Sequence, residues 1–247
     1  MIKNNFIKIR WRIAQKYERF FWEKAANIIS SRASGDLEWY GWRAMEMEKR
    51  LFPYINAEKK KFAKVLEIGC GPIGIVSFLK WGEKYAIDPL EDFFVNNPIL
   101  IKLRNPEVKY VKGIGENIPF DNEMFSLVII DNVIDHTSNP ENVLKEIYRV
   151  LKNKGLLYIS VNVHTPWGAK LHRLLSMAAI DKGHPHTFTE NKIRDLLKNN
   201  NFKIEDEVAE DYYEAKIKNC ESKSLKDKIK GYTGLSEFLY QAICVKC

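Results

Sequence analysis

The apolar residues of this chain fall into short runs that alternate with stretches of helical period. One run, 125–130, is apolar at nearly every position, which is typical of a strand buried on both faces of a parallel sheet. At 140–151 the apolar residues recur at helical spacing, with Asn139 placed to cap the helix and Pro140 to begin it. The pattern predicts strands at 64–68, 84–88, 108–111, 125–130, 155–161, 202–208 and 238–245. It predicts further helices at 74–81, 90–103 and 189–199.

This alternation predicts an α/β fold, namely a Rossmann-like, doubly wound, mostly parallel sheet of seven strands with an N-terminal helical cap. In such a sheet, ligands bind beyond the carboxyl ends of the strands, where the strand order reverses. The functional residues are therefore expected in the loops that follow the first four strands, at 69–74, 88–90, 113–117 and 131–136.

The first 32 residues differ in composition from the rest of the chain. They hold eight Lys and Arg residues against Glu18 and Glu23, whereas the formal net charge of the whole chain is +7. Their aromatic and aliphatic residues recur at helical spacing, so residues 1–60 are predicted to form an amphipathic cap on a domain of residues 61–247. We favour a cap with a solvated basic face. The alternative is that residues 1–32 contact an anionic membrane surface or reach a lipid-linked or polyanionic substrate.

A second charged segment lies before the last strand. Residues 207–236 are acidic at first and basic afterwards, and we expect an exposed excursion with room for a short helix. The sequence contains no run of about 18 apolar residues and so predicts no membrane-spanning helix. The four cysteines make no disulfide framework, and the pair Cys244 and Cys247 lacks the second pair that a zinc site would need. We therefore expect a cytoplasmic protein, peripheral to a membrane at most.

Residues 69–74 form a glycine-rich segment, Gly-Cys-Gly-Pro-Ile-Gly, between a predicted strand and a predicted helix. Glycines allow a sharp turn and a close approach of a ligand to the backbone. Asp88 ends the next strand, where a carboxylate can accept both hydroxyls of a ribose, and this pattern alone fits a dinucleotide binder as well as other nucleoside binders. Glu67 requires a cationic or hydrogen-bonding partner, and Pro72 removes an N–H from the turn. Both favour a ligand with a positive end and no diphosphate.

Residues 65–74 resemble the first motif of the class I S-adenosylmethionine-dependent methyltransferases of the type 11 group. Four later segments resemble further motifs of the family, in the same order along the chain: 85–90, 113–120, 125–136 and 146–155. The resemblance extends over about residues 60–208. Five motifs in the correct order make a more specific signal than any one of them.

The resemblance implies S-adenosyl-L-methionine as the cofactor and a role for each residue of the predicted site. Glu67 and the first glycines of the loop would surround the methionine part, and Asp88 would hold the ribose hydroxyls. Ile114 replaces an acid that often contacts the adenine amino group. The expected cofactor-binding residues are Glu67, Gly69, Cys70, Gly71, Asp88, Pro89, Ile114, Gly115, Glu116, Asp131 and Asn132.

Methyl transfer to a hydroxyl requires a base that removes its proton. The expected catalytic residues are His136, His184 and His186, with Asp135 behind them. His172 is predicted at the surface. A metal site formed by His164 with His184 and His186 would match no standard ligand spacing, so no metal is predicted.

The sequence narrows the class of methyl acceptor. It lacks the Asp/Asn-Pro-Pro-aromatic motif of enzymes that methylate planar amino nitrogens. It also lacks the Pro-Cys nucleophile of pyrimidine methylation. No recognised RNA-binding module accompanies the basic N-terminal stretch, so a nucleic-acid acceptor is not favoured. A small molecule, a glycan or a lipid-linked acceptor is left, with an oxygen as the expected target. Two other functions stay open: a non-catalytic cofactor-binding scaffold subunit and a nicotinamide-dependent oxidoreductase. The sequence does not indicate an oligomeric state.

Overall fold

A seven-stranded sheet forms the centre of the computed structural model, which describes residues 2–31, 38–56, 60–61, 63–177 and 183–247. Side chains are described for these residues except 2–8, 29–31 and 38. The strands are β1 (Lys64–Ile68), β2 (Glu83–Asp88), β3 (Val108–Lys112), β4 (Phe125–Asp131), β5 (Leu151–Val163), β6 (Phe202–Ala209) and β7 (Phe238–Lys246). The helices are α1 (Ile2–Ser31), α2 (Glu38–Leu51), α3 (Glu91–Asn96), α4 (Pro140–Val150), α5 (Pro166–Met177), α6 (Glu190–Asn199), α7 (Tyr212–Glu221) and α8 (Leu225–Thr233).

The strand order is β3-β2-β1-β4-β5-β7-β6. The first five strands in this order run parallel, and β7 is antiparallel to both of its neighbours. The prediction of a mostly parallel, doubly wound sheet is therefore confirmed. The order reverses between β1 and β4, and a crevice forms where the connections after these two strands leave in opposite directions.

Alternate residues of the central strands face two separate hydrophobic clusters. On one face, Ile130 of β4 packs in a cluster with Ile147 of α4. On the other face, Ile129 packs in a cluster with Met47 of α2. Because both faces of β4 are covered, its sequence is apolar without a polar alternation, as the run 125–130 predicted.

Two predicted helices are shorter in the structure, and the backbone explains both differences. The segment 74–81 forms only a 3-10 turn at Ile75–Phe78, because the backbone becomes extended at Leu79. The segment 90–103 is divided into α3 and a 3-10 turn at Leu100–Leu103. Asn97 precedes Pro98 and has extended dihedral angles, as the steric restriction on a residue before proline requires.

The charged excursion 207–236 contains two helices where one short helix was considered possible. Asp211 caps α7 by accepting hydrogen bonds from two backbone N–H groups of its first turn, and Ser224 caps α8 in the same way with one. The segment is therefore a helical pair between β6 and β7, and its charges lie on ordered elements.

Helices α1 and α2 lie within the predicted cap of residues 1–60, of which residues 32–37 and 57–59 are outside the described residues. Ala14 and Ala26 of α1 are buried, and the ring of Trp22 meets Phe94 of α3 edge to face. The division of the chain at residue 60 stays a prediction. Across the described residues, none of the helices has the length and apolar character needed to cross a bilayer.

Candidate active site

A cavity of about 380 Å³ lies at the carboxyl ends of β1, β2 and β4, where the strand order reverses. The loops after these strands line it from below, and α1 and α2 cover it from above. All of the residues expected at the cofactor from the sequence line this cavity: Glu67, Gly69, Cys70, Gly71, Asp88, Pro89, Ile114, Gly115, Glu116, Asp131 and Asn132.

The loop after β1 requires glycine at two positions, Gly69 and Gly74. Gly69 has φ +68, and a Cβ there would lie 2.5 Å from Cγ1 of Val133. Gly74 has φ +78, and a Cβ there would lie 2.6 Å from Oε2 of Glu67. Both positions combine left-handed backbone with a contact that no side chain could occupy.

Glu67 stabilises this loop from inside the protein. Its Oε1 accepts a hydrogen bond from the N–H of Ile75 at 3.1 Å, and its Oε2 accepts one from the N–H of Val76 at 2.8 Å. The pKa of Glu67 is raised to about 8, mainly by burial and also by the nearby charge of Asp131, although the two hydrogen bonds act in the opposite direction. The partner that the sequence required for Glu67 is thus the backbone of the loop itself.

Asp88 stabilises the same loop from the end of β2. Its Oδ2 accepts a hydrogen bond from the N–H of Gly71 at 2.9 Å, and its Oδ1 accepts one from Leu90 at 2.8 Å. Burial raises the pKa of Asp88 to about 7. An ionised carboxylate has about four lone-pair positions, so each oxygen of Asp88 retains capacity to accept from a ligand in the cavity.

The residues after β4 connect the sheet to the cap. Oδ1 of Asp131 accepts hydrogen bonds from Arg43 of α2 at 2.7 Å and from Oγ of Ser160 at 2.5 Å. Asn132 has φ +58, and its side chain accepts from the N–H of Asn162 at 3.2 Å. Asp131 and Asn132 therefore line the cavity with their side chains held in place by neighbouring elements.

The segment after β3 contributes the opposite wall. Oε1 of Glu116 accepts from the backbone N–H of Ser138 at 2.6 Å, its hydroxyl at 2.7 Å and the N–H of Asn139 at 3.0 Å. These contacts fix the loop that leads into α4. At Gly115, a Cβ would come within 3.1 Å of Val143, which keeps this wall close to α4.

Cys70 is buried, and its Sγ donates to the carbonyl of Gly71 at 3.2 Å. Burial raises the pKa of the Cys70 thiol well above its ordinary value, so this cysteine stays protonated. It fills space in the loop and has no properties of a nucleophile.

The roof of the cavity contains residues that the sequence did not single out for the site. Trp11, Gln15 and Glu18 of α1 line it, together with Tyr40 and Arg43 of α2. Oε1 of Gln15 is buried and has no hydrogen-bond partner among the described residues. The helical period showed that α1 is amphipathic, but only the tertiary structure shows which residues face the ligand.

The five histidines of the chain form one group beside the cavity. His136 and His184 line the large cavity, with 4.5 Å between their ring centroids. His186 lines a small adjacent cavity together with His164 and His172, and His184 lies between the two cavities and lines both. The structure thus brings two of the three expected catalytic histidines to the large cavity and places the third behind them.

Burial lowers the pKa of two histidines of the small cavity. It lowers the pKa of His164 to about 4 and lowers the pKa of His186. His172 is also buried, with Nδ1 at 2.8 Å from Oγ1 of Thr187. The expectation of a surface position for His172 is wrong, because α5 turns this face toward the histidine group.

The known proteins to which this chain is similar are methyltransferases. Residues 66–159 match the family model of the methyltransferase domain. Thiol S-methyltransferase TMT1B of Rattus norvegicus is 29% identical over 136 residues, which are 52% of this chain and 56% of that protein. Phthiotriol/phenolphthiotriol dimycocerosates methyltransferase of Mycobacterium leprae is 34% identical over 100 residues, 38% of this chain and 36% of that protein.

Among solved structures, geranyl diphosphate methyltransferase in complex with SAM superposes with a TM-score of 0.62 and 12% identity. The superposition covers 84% of this chain and 85% of that chain. At this identity the likeness shows the fold. The chain spans about half the length of the curated relatives it matches. The family match and the shared fold confirm the resemblance predicted from the motifs.

We expect the Glu67→Gln variant to lose about 1–3 kcal/mol of unfolding free energy, because the amide nitrogen cannot accept one of the two loop hydrogen bonds. The raised pKa also predicts a pH effect. The folded protein binds a proton on Glu67 more tightly than the unfolded chain does. The contribution of this proton to the free energy of unfolding is therefore fully present below about pH 4.5 and is lost as pH rises to about 8. Urea unfolding followed by circular dichroism at several pH values measures both effects.

The exposed Glu141→Gln variant controls for the loss of one formal charge. Asp88 contributes a slope of the same sign up to about pH 7, so the range from pH 7 to 8 reports mainly on Glu67. Wild-type stability and slope in the Glu67→Gln variant would contradict the assignment.

Proposed function

The chain contains a class I S-adenosylmethionine-dependent methyltransferase domain, and from this premise we propose that it transfers the cofactor's methyl group to an oxygen of a small-molecule, glycan or lipid-linked acceptor. The observation that carries the proposal is a single cavity with two chemically different ends. Asp88 and the glycine loop line one end, and His136 and His184 line the other. Cofactor and acceptor could therefore meet inside one cavity.

The residues present fit S-adenosyl-L-methionine. Gly69 and Gly71 line the cavity without side chains of their own, and the space beside Gly71 is closed by the Trp22 ring, 3.2 Å from where a Cβ would lie. Asp88 would accept the ribose hydroxyls, Pro89 would pack on the adenine, and the unpaired amide oxygen of Gln15 would accept from a ligand N–H or O–H. When bound, this cofactor supplies an electrophilic methyl group on a sulfonium.

The acceptor would lie at the histidine end. His136 and His184 are the cavity-lining groups there that can promote loss of a hydroxyl proton, a contribution of about 10²- to 10⁴-fold in rate. The aromatic side chains of Trp11, Tyr17 and Trp39 line the same cavity and suit an acceptor with a large apolar part. The relatives named above act on a thiol and on lipids, which favours a hydrophobic acceptor class.

The cap would contribute by excluding water and restricting the reactants. Positioning alone can supply about 7–11 kcal/mol of barrier reduction when the reacting atoms are well aligned. Arg43 from α2 and Trp22 from α1 line the cavity directly, so the two cap helices form part of the reaction chamber.

We expect the full-length protein to bind S-adenosylhomocysteine at one site in isothermal titration calorimetry. The Asp88→Asn variant should bind it at least about 10-fold more weakly, equivalent to about 1.4 kcal/mol, because one acceptor oxygen is lost. Affinity of the wild type should fall as pH is lowered from 8 to 6, since Asp88 takes up a proton near pH 7. Asp92→Asn, which changes an exposed acid on α3, is the matched control.

The same experiment separates the alternatives. Binding of S-adenosylhomocysteine without transfer of labelled methyl groups to any extract fraction would favour the scaffold subunit. Thermal stabilisation by NAD in place of S-adenosylhomocysteine would favour the oxidoreductase. Equal affinity of the Asp88→Asn variant and the wild type would contradict the proposed cofactor site.

We expect the double variant His136→Ala with His184→Ala to lower kcat for the acceptor found in that assay by about 10²- to 10⁴-fold, with unchanged affinity for S-adenosylhomocysteine. Single-turnover methyl transfer measures the change. The variant His172→Asn alters a histidine of the small cavity and serves as the control. Full activity of the double variant would contradict a role for these histidines.

We also propose that the outer face of α1 contacts an anionic membrane. Ile13 and Phe20 are exposed along this face, and Lys16 and Lys24 are exposed beside them. An apolar stripe with flanking basic residues is typical of a helix that lies in the membrane interface. Because other residues of α1 line the cavity, this arrangement would bring a lipid-linked acceptor close to the site.

Vesicles containing phosphatidylserine should co-sediment with the full-length protein at low salt. The double variant Lys16→Glu with Lys24→Glu should bind more than about 10-fold more weakly, because each basic residue near an anionic surface contributes about 1 kcal/mol. Tyr232→Ser removes an equally exposed aromatic from α8 and is the control. If the wild type stays in the supernatant, the membrane proposal is wrong.

A further inference from the structure

Three side chains beside the cavity form a cluster that the proposed cofactor site does not use. One potential ligand atom each of Asp135, His136 and His184 lies within 4.8 Å of the other two. Oδ1 of Asp135 is 4.0 Å from Nε2 of His136, and Oδ2 is 3.9 Å from Nε2 of His184. Each carboxylate oxygen is thus near a different imidazole.

We propose that Asp135, His136 and His184 bind one divalent transition-metal cation of the zinc type, with an open coordination position toward the large cavity. Two imidazoles and one carboxylate are a donor set that suits zinc and its first-row neighbours, and catalytic zinc sites use three such ligands. Magnesium and calcium prefer oxygen donors and would be bound more weakly.

The distances are compatible with such a site. Bonds of about 2.0–2.2 Å to each ligand bring the ligand atoms to within roughly 3–3.5 Å of one another. The two carboxylate–imidazole separations would need to shorten by less than about 1 Å. The separation of the two imidazole nitrogens is at most 4.8 Å and would need to shorten by up to about 1.8 Å, so side-chain rotations must supply the larger part of the movement there. His136 and His184 are 25% and 34% exposed, so both rings have room for this movement.

The carboxylate supplies an independent indication. The Asp135 side chain is only 6% exposed, and its Oδ1 has no hydrogen-bond partner among the described residues. An incompletely paired buried carboxylate is costly, and a bound cation would remove this cost. No standard motif spacing reveals the site, because Asp135 and His136 are adjacent and His184 comes from a distant segment.

The backbone holds both ligand segments in place. Asp135 and His136 lie in a 3-10 turn after β4, and the N–H of His186 donates to the Asp135 carbonyl at 3.2 Å. Arg10 of α1 donates to the carbonyl of His184 at 2.9 Å. The proposed metal-binding side chains are therefore positioned by the turn after β4, by the backbone of residues 184–186 and by Arg10 of α1.

A cation here would deepen the proposed function, and this step depends on that proposal. An acceptor hydroxyl bound at the open position would lose its proton to solvent more readily, because the cation lowers its pKa. The oxygen would then form the O–CH₃ bond while the S–CH₃ bond breaks. The electron pair of that bond would remain on sulfur, giving the neutral thioether S-adenosylhomocysteine.

Calorimetric titration of untagged, chelator-treated full-length protein with zinc sulfate tests the proposal. We expect one equivalent to bind, and His136→Ala and His184→Ala each to weaken binding at least 10-fold. Cobalt chloride should give visible absorption bands of a protein-bound ion that acetohydroxamate alters through the open position. His172→Asn changes a histidine outside the three ligands and should bind zinc like the wild type.

Zinc binding tests the metal site, and S-adenosylhomocysteine binding tests the cofactor site separately. Absence of zinc binding by the wild type, or wild-type affinity in both alanine variants, would overturn the proposal. Far-ultraviolet circular dichroism checks that each variant folds. S-adenosylhomocysteine affinity is measured on the same samples: retained cofactor binding without zinc binding refutes the metal site alone, and zinc binding without cofactor binding refutes the proposed methyl transfer alone.

Discussion

Two buried carboxylates determine the shape of the loop on which the site depends. Glu67 accepts the N–H groups of Ile75 and Val76, and Asp88 accepts the N–H of Gly71. A glycine-rich loop has many accessible conformations, and these hydrogen bonds select one of them. The selected conformation leaves the backbone open toward the cavity. The same residues that the family motif associates with the cofactor therefore also build the surface that receives it.

The reversal of strand order provides the crevice, and the cap helices cover part of it. A sheet with this topology leaves a gap beyond β1 and β4 in any sequence. In this chain the gap is covered by α1 and α2, and the partly buried ion pair between Arg43 and Asp131 links α2 to the end of β4. Replacement of either partner would leave the other charge without its partner in a partly buried position, which is typically more damaging than loss of an exposed pair.

The sequence predicted the sheet well because buried strands have a clear local signature. The run 125–130 is apolar at every position except Ser126, and the structure buries both of its faces. The convergence of the predicted site residues on one cavity also followed from the sequence, since motif order placed them at strand ends that must converge. Gln15 and Arg43 were not predictable, because their position over the cavity depends on how the cap docks. The conformation at the start of the turn after Gly74 likewise involves a contact from outside the turn, namely the hydrogen bonds from Ile75 and Val76 to Glu67.

The histidine group shows a related limit of sequence reasoning. His136, His184 and His186 were expected at the ligand side of the sheet, and all three are there. Their division between two cavities follows from the path of the loop before α6, where the backbone of His186 is bound to Asp135. Spacing along the chain contains no information about this division.

Arg10 joins α1 to the loop that carries His184 and Pro185 through hydrogen bonds to both carbonyls. The same helix lies over Asp88 at the other end of the chamber through Glu18 and Trp22. One helix thus lines the cavity from Asp88 to the histidine segment. A change in the position of α1 would therefore alter both ends of the cavity together.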